Sequence, residues 1–272
     1  MAGRSPTDYS MLDVPEVLGI LFYPRPDYGS AEESGQAVDL MIPVGEGVQI
    51  GARFHPVGLQ GANLLFFHGN GEIVADYDEM APLYNGLGIN FLPVDYRGYG
   101  RSSGRPTVTS MMRDAHAIYE YVRTWLPAQG YAGPFVVMGR SLGSASALEL
   151  AGSYADEIDG LIIESGFASF APLLELIGAS FRAASAGSGG PVQNVDKIAA
   201  YSGPTLVIHA EFDHIIPFES GQALYEAAGS ADKTFLTIPG ANHNDLFFRG
   251  MRPYLAAVQD LVRRAGRARD KA

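Results

Sequence analysis

Cysteine is absent from the 272 residues, which removes disulfides, thiolate metal sites and cysteine nucleophiles together. Any covalent catalysis falls to Ser, Thr, Asp or Lys. Basic side chains are also scarce: 19 Lys and Arg stand against 30 Asp and Glu, a net charge of −11. Binding to a phosphate backbone needs the opposite surplus, so no nucleic acid is expected as a partner. Long hydrophobic runs are missing as well. The longest near the N-terminus, Val17 to Tyr23, is too short to span a membrane and lacks the basic flank of a signal peptide. The expectation is a cytoplasmic protein with no membrane span. Apolar material is plentiful, at 47% with 14 Tyr and 14 Phe, so a sizeable core can form. The length suits one compact domain with trimmings.

Short apolar runs recur without polar alternation: Leu64 to Phe67, Phe91 to Val94, Phe135 to Met138, Leu161 to Ile163, Leu206 to Ile208 and Phe235 to Ile238. Strands buried on both faces read this way and belong to parallel sheets covered by helices. Helical periodicity falls between them, over 111–125, 141–154 and 245–264, and the alternation points to a doubly wound α/β domain. Val38 to Ile42 and Val48 to Phe54, joined by a Gly-rich turn, form a candidate antiparallel hairpin at one sheet edge. The segment 167–203 interrupts the rhythm with an apolar helix candidate, then Ala183 to Gly190, all small residues. It reads as a short insertion. The C-terminal Arg263, Arg264, Arg267, Arg269 and Lys271 suit the negative end of a helix dipole.

Directly after the run ending at Met138 stands Gly139-Arg140-Ser141-Leu142-Gly143, a G-x-S-x-G. Its mechanics put a serine on a tight strand-to-helix turn, with glycine on either side because a side chain there would strike the neighbouring backbone. A serine hydroxyl is a poor nucleophile at neutral pH and needs a general base, itself oriented by a carboxylate. Both arrive later in the chain. Asp213 follows the run ending at Ile208, and His243 follows the run ending at Ile238. Each therefore sits beyond the C-terminal end of a parallel strand, the rim where α/β folds build their sites.

Five ordered segments, namely His68-Gly69-Asn70-Gly71, Asp95 to Gly100, Gly139 to Ser144, His209 to Pro217 and His243 to Leu246, resemble the α/β-hydrolase superfamily of serine esterases and thioesterases. The resemblance implies an α/β-hydrolase fold, a mostly parallel central sheet with helices on both faces and a short helical cap. It implies Ser141 as nucleophile, Asp213 as acid and His243 as base, with the backbone N–H of Leu142 as one oxyanion donor. The second donor is the N–H of Asn70, with Gly71 as the alternative. His68 is then structural, its ring holding the oxyanion loop. The family's H-G-x-x-D is here His209-Ala210-Glu211-Phe212-Asp213, with Ala in place of Gly.

The organisation this suggests is an N-terminal extension (1–30), a hydrolase core (31–166 and 204–265), a small cap (167–203) and a tail (266–272). Within the cap, Phe170, Leu174 and Ile177 share one helical face and are candidates to line an acyl pocket, beside Gly71. Competing readings exist for several residues. His209, Glu211, Asp213 and His214 resemble a metal site, Glu164 is a rival acid, and His214 adjoins the acid. Asp95 and Arg97 suggest an ion pair, and His55 has no evident partner. No cofactor and no metal are expected. The expected activity is hydrolysis of a small-molecule carboxylic ester with an apolar acyl group. A thioesterase, or a non-catalytic ligand binder on the same fold, is the alternative.

Overall fold

The computed structural model describes residues 7–29, 37–170 and 193–269. A short helix, α1 (Pro15–Leu21), precedes the hairpin β1 (Val38–Pro43) and β2 (Gln49–Phe54). There follow β3 (Ala62–Phe67), α2 (Ala81–Asn85), β4 (Ile89–Val94), α3 (Val108–Ala128), β5 (Phe135–Arg140), α4 (Gly143–Ser153) and β6 (Gly160–Glu164). From residue 193 onward come α5 (Asn194–Ala199), β7 (Thr205–Ala210), α6 (Phe218–Ala227), β8 (Lys233–Ile238) and α7 (Leu246–Arg269). One eight-stranded sheet results, in the order β1-β2-β4-β3-β5-β6-β7-β8. Only the β1–β2 and β2–β4 pairings are antiparallel, as the hairpin reading requires. The fold is the α/β-hydrolase fold anticipated from the sequence.

Because side chains alternate across a strand, each apolar run feeds two cores. Leu65, Phe67, Phe135 and Val137 join one face with residues of α1, α3, α4, α5 and α6. Leu64, Phe66, Val136 and Met138 join the other with α2 and α7. This two-sided burial explains the missing polar alternation. In the edge hairpin β1 alternates, burying Leu40 and Ile42 and exposing Asp39 and Met41, while β2 is largely buried.

Within residues 7–29, Tyr9, Leu12, Val17, Leu21 and Phe22 are buried in the larger core. Between 193 and 203, α5 packs against α4, and Ile198 within it and Tyr201 just after it are fully buried. Compositional breaks marked the chain path but not which residues the core buries. Arg97 forms a buried two-point pair with Asp114, at 2.6 and 2.9 Å, and not with Asp95. His55 Nε2 stands 3.4 Å from Asp78 Oδ1 without a hydrogen bond between them, and burial lowers its pKa. At the C-terminus Arg263 and Arg264 both pair with Asp260, and Arg269 donates to the Ala132 carbonyl, so the basic stretch serves its own fold.

Glu149 ties the first segment to the helical layer. Its carboxylate accepts from the Tyr9 hydroxyl and meets Lys197 Nζ at 3.0 Å and His116 Nε2 at 3.3 Å. Burial alone would raise its pKa, but His116, Lys197 and Tyr9 outweigh that and hold it at about 2. A carboxyl depressed on folding contributes stability above its unfolded value near ~4.3, and that stability is lost as pH falls through the folded value. Glu149→Gln is therefore expected to cost up to about 3 kcal/mol at pH 7, taking ~1.4 kcal/mol per pKa unit. The gap from the native protein should close between about pH 4 and 2. Denaturant titrations at pH 7 and pH 3 check this; an equal gap at both would overturn it.

Candidate active site

The turn leaving β5 is forced by its neighbours. A Cβ on Gly143 would stand 2.1 Å from the Phe67 carbonyl oxygen, and one on Gly139 would stand 2.3 Å from that of Gly143. The chain can pass so close to β3 only with glycine at both places. Between them Ser141 is held at φ 51°, a left-handed conformation that costs a side-chain-bearing residue about 1 kcal/mol or more. Its N–H donates to the Glu164 carbonyl at 2.9 Å, which helps to fix that strained position. Leu142 follows at the head of α4, where the first N–H groups have no partner within the helix.

The loops after β7 and β8 bring Asp213 and His243 to this turn, from 72 and 102 residues further along the chain. His243 Nε2 lies 2.9 Å from Ser141 Oγ, and its Nδ1 lies 2.7 Å from Asp213 Oδ2. The carboxylate accepts the Nδ1 proton, leaving Nε2 to accept from the serine. All three are buried or nearly so, at 8, 9 and 4% exposure for Ser141, Asp213 and His243. Asp213 Oδ1 also accepts the backbone N–H groups of Ile215 and Ile216, at 3.0 and 2.8 Å. Burial would push the Asp213 carboxyl up, but the His243 hydrogen bond and charge, with those two amides, hold it below the usual carboxylate range.

The rival residues are engaged elsewhere. Glu164 accepts from Tyr254 at 2.6 Å and from Arg140 at 3.1 Å. His209 Nε2 donates to the Ile216 carbonyl at 3.0 Å; burial keeps its pKa below the ordinary value, so it sits neutral beneath the acid loop. His214 is exposed, and Glu211 accepts from the Gly240 N–H. Among the described residues no group of three His, Asp or Glu side chains is placed to hold a metal.

The oxyanion-loop candidates lie at the end of β3. The His68 ring is wedged between the Gly69 carbonyl, 2.8 Å from Nδ1, and Asp95, 3.2 Å from Nε2. The Gly69 N–H is consumed by Glu72 at 2.6 Å. The Asn70 side chain turns outward, accepting from the Tyr23 N–H and the Tyr99 hydroxyl, both at 2.7 Å. Gly71 stands at φ 76°, in the left-handed region that favours glycine. Sequence reasoning missed Tyr23, Glu72 and Tyr99 as supports of this loop. A contact spanning 47 residues, as between Tyr23 and Asn70, leaves no local pattern.

Phe170 is fully buried against Phe167, ring centroids 4.8 Å apart, within the larger core. A large apolar side chain next to a helical layer gains more from complete burial there than from a solvent-exposed pocket wall. Leu174 and Ile177 lie outside the described residues.

A family model described as serine aminopeptidase, S33, matches residues 60–186 and 189–247. An uncharacterized protein of Mycobacterium tuberculosis is 30% identical over 250 residues, covering 87% of this chain and 82% of that protein. The mouse alpha/beta hydrolase domain-containing protein 17C is 33% identical over 191 residues, 67% of this chain and 54% of that one. Among solved structures, the Pyrococcus furiosus esterase Pf2001 superposes with a TM-score of 0.70 at 16% identity, covering 89% of this chain and 98% of that one. Est1E from Butyrivibrio proteoclasticus gives 0.65 at 19% identity, covering 84% and 98%.

The glycine geometry yields a matched pair of variants. Gly143→Ala is expected to displace the turn and abolish labelling of Ser141 by a fluorophosphonate. Gly152→Ala, in the same helix, meets only the Lys197 backbone and side chain at 3.4 Å and should leave labelling intact. It should stabilise the fold slightly, by up to about 1 kcal/mol. Equal labelling of the two variants in a gel assay would contradict the close-approach argument.

Proposed function

The chain belongs to the α/β-hydrolase superfamily, in the family described as serine aminopeptidase, S33, and from that premise we propose that it is a serine hydrolase cleaving carboxylic esters with an apolar acyl group. The observation that carries the reading is the continuous hydrogen-bond chain from Ser141 through His243 to Asp213, at 2.9 and 2.7 Å. Ser141 Oγ attacks the ester carbonyl carbon as His243 Nε2 takes its proton, and the carbonyl electron pair moves onto oxygen. The N–H groups of Leu142 and Asn70 receive that oxyanion, aided by the positive end of α4. Collapse expels the alcohol, which the imidazolium protonates, and leaves the acyl group on Ser141. Water deprotonated by His243 then releases the acid. Asp213, kept ionised by its partners, stabilises the imidazolium at both steps.

Two features support an apolar ester over other substrates. Large apolar side chains stand exposed on the segments that carry the site: Tyr23 beside the oxyanion loop, Phe212 and Ile215 around the acid, and Phe248 just after the base loop. Glu72 and Glu164, beside the nucleophile turn, are both held by Arg140, so neither is free to receive a peptide's terminal ammonium. That disfavours a peptide N-terminus.

Ser141→Ala and His243→Ala are each expected to lower kcat by about 10⁴-fold or more without unfolding the chain, and the losses should not add, because the two act as a unit. Asp213→Asn should cost far more than Glu211→Gln. Retention of more than about a tenth of the activity by Ser141→Ala would overturn the reading. A panel of chromogenic esters of graded acyl length, with matching thioesters, reports the substrate class: preference for thioesters would mark a thioesterase. No fluorophosphonate adduct under native conditions would mark a non-catalytic binder.

A further inference from the structure

Arg140 fills the variable position of the G-x-S-x-G turn, next to the nucleophile, yet its guanidinium points inward with 14% of the side chain exposed. Its three nitrogens reach three separate segments. Nε donates to Glu164 Oε1 at the end of β6, at 3.1 Å. Nη1 is paired with Glu72 Oε1 on the oxyanion loop. Nη2 donates to the backbone carbonyl of His243 itself, at 3.1 Å. Both carboxylates extend the network: Glu72 Oε2 accepts the Gly69 N–H and the Tyr77 hydroxyl, each at 2.6 Å, and Glu164 Oε2 accepts the Tyr254 hydroxyl at 2.6 Å. Gly69 has no room for a side chain here, since its Cβ would stand 2.5 Å from Arg140 Nη1.

We propose that Arg140 is a positioning residue that locks the oxyanion loop and the base loop in register with Ser141, acting through Glu72 and the His243 carbonyl; this rests on the ester-hydrolase reading above. Stability alone does not account for the arrangement, because a buried ion cluster is often no more stabilising than apolar packing of the same volume. Its distinguishing property is connectivity. One rigid, planar fork sets the distances among three segments far apart in the sequence, and a lysine, whose three donors sit on a single nitrogen, lacks the geometry to span them all. Burial would lower the arginine's pKa, but Glu72 and Glu164 outweigh it and keep the group charged. Arg140 touches no reacting atom. Its effect is on where the oxyanion donor and the imidazole stand, and displacements of about 1 Å in such groups cost around 10²-fold in rate.

The test compares Arg140→Lys, Arg140→Gln, Glu72→Gln and the double variant Arg140→Gln/Glu72→Gln on the full chain, with Ser141→Ala as control. Active sites are counted by fluorophosphonate titration so that misfolded molecules drop out, and kcat and KM are then measured per titrated site. The expected result is a fall in kcat of about 10²-fold for Arg140→Gln and about tenfold for Arg140→Lys and Glu72→Gln, with KM changed by less than about threefold. The double variant should fall no further than Arg140→Gln alone, because both lie on one linkage. If Arg140→Gln does not fold, Arg140→Lys and Glu72→Gln decide. A kcat per site within about twofold of the native value in both, or a rise in KM with kcat unchanged, would overturn the proposal. Activity surviving in Ser141→Ala would instead remove the ester-hydrolase reading itself.

Discussion

The site depends on how closely the turn after β5 can pass the end of β3. Gly143 rests against the Phe67 and His68 carbonyls, and Gly139 against Gly143, so the turn that carries Ser141 and the loop after β3 are in backbone contact. That contact fixes Ser141 in its left-handed conformation and aims its hydroxyl at the rim. Every later requirement, from the placement of the base to the orientation of the first α4 amides, is measured from this point. Sheet order supplies the rest: β3, β5, β6, β7 and β8 run parallel and adjacent, so their C-terminal loops converge.

Charge follows the same plan. Asp213 lies against His243, and its partners outweigh the burial that would raise its pKa, whereas at Glu164 burial outweighs Arg140 and Tyr254 and holds the carboxyl above its ordinary value. Asp213 has His243 and two amides, Glu72 has Arg140, Gly69 and Tyr77, and Glu164 has Arg140 and Tyr254. A buried carboxylate without such partners would take up a proton. An ionised Asp213 matters most, because it keeps the imidazole in the tautomer that faces Ser141.

The N-terminal segment is the unexpected structural element. It buries Leu12, Val17 and Leu21 in the core, reaches Glu149 through Tyr9, and braces Asn70 and Gly71 through Tyr23 and Arg25. A stretch that composition marks as an appendage thus stiffens one wall of the candidate site. Among the described residues no helix is long and apolar enough to cross a membrane.

The sequence alone determined the alternation of strands and helices, the edge hairpin, and the convergence of Ser141, Asp213 and His243 at one rim. These follow from two short-range signals: apolar runs of strand length, and glycine or acid-and-base residues placed just past a strand end. It could not determine the partners of Arg97 or Arg140, the burial of residues from 7–29 and 193–203 in the core, or the burial of Phe170. Arg140 is the clearest case. As a residue in a motif it is a free variable, and only when β6, the oxyanion loop and the base loop are packed around it do Glu72, Glu164 and the His243 carbonyl come within reach. Periodicity records which face of an element is buried. Which side chains from distant segments meet there is set by the packing of layers, and that information exists only in three dimensions.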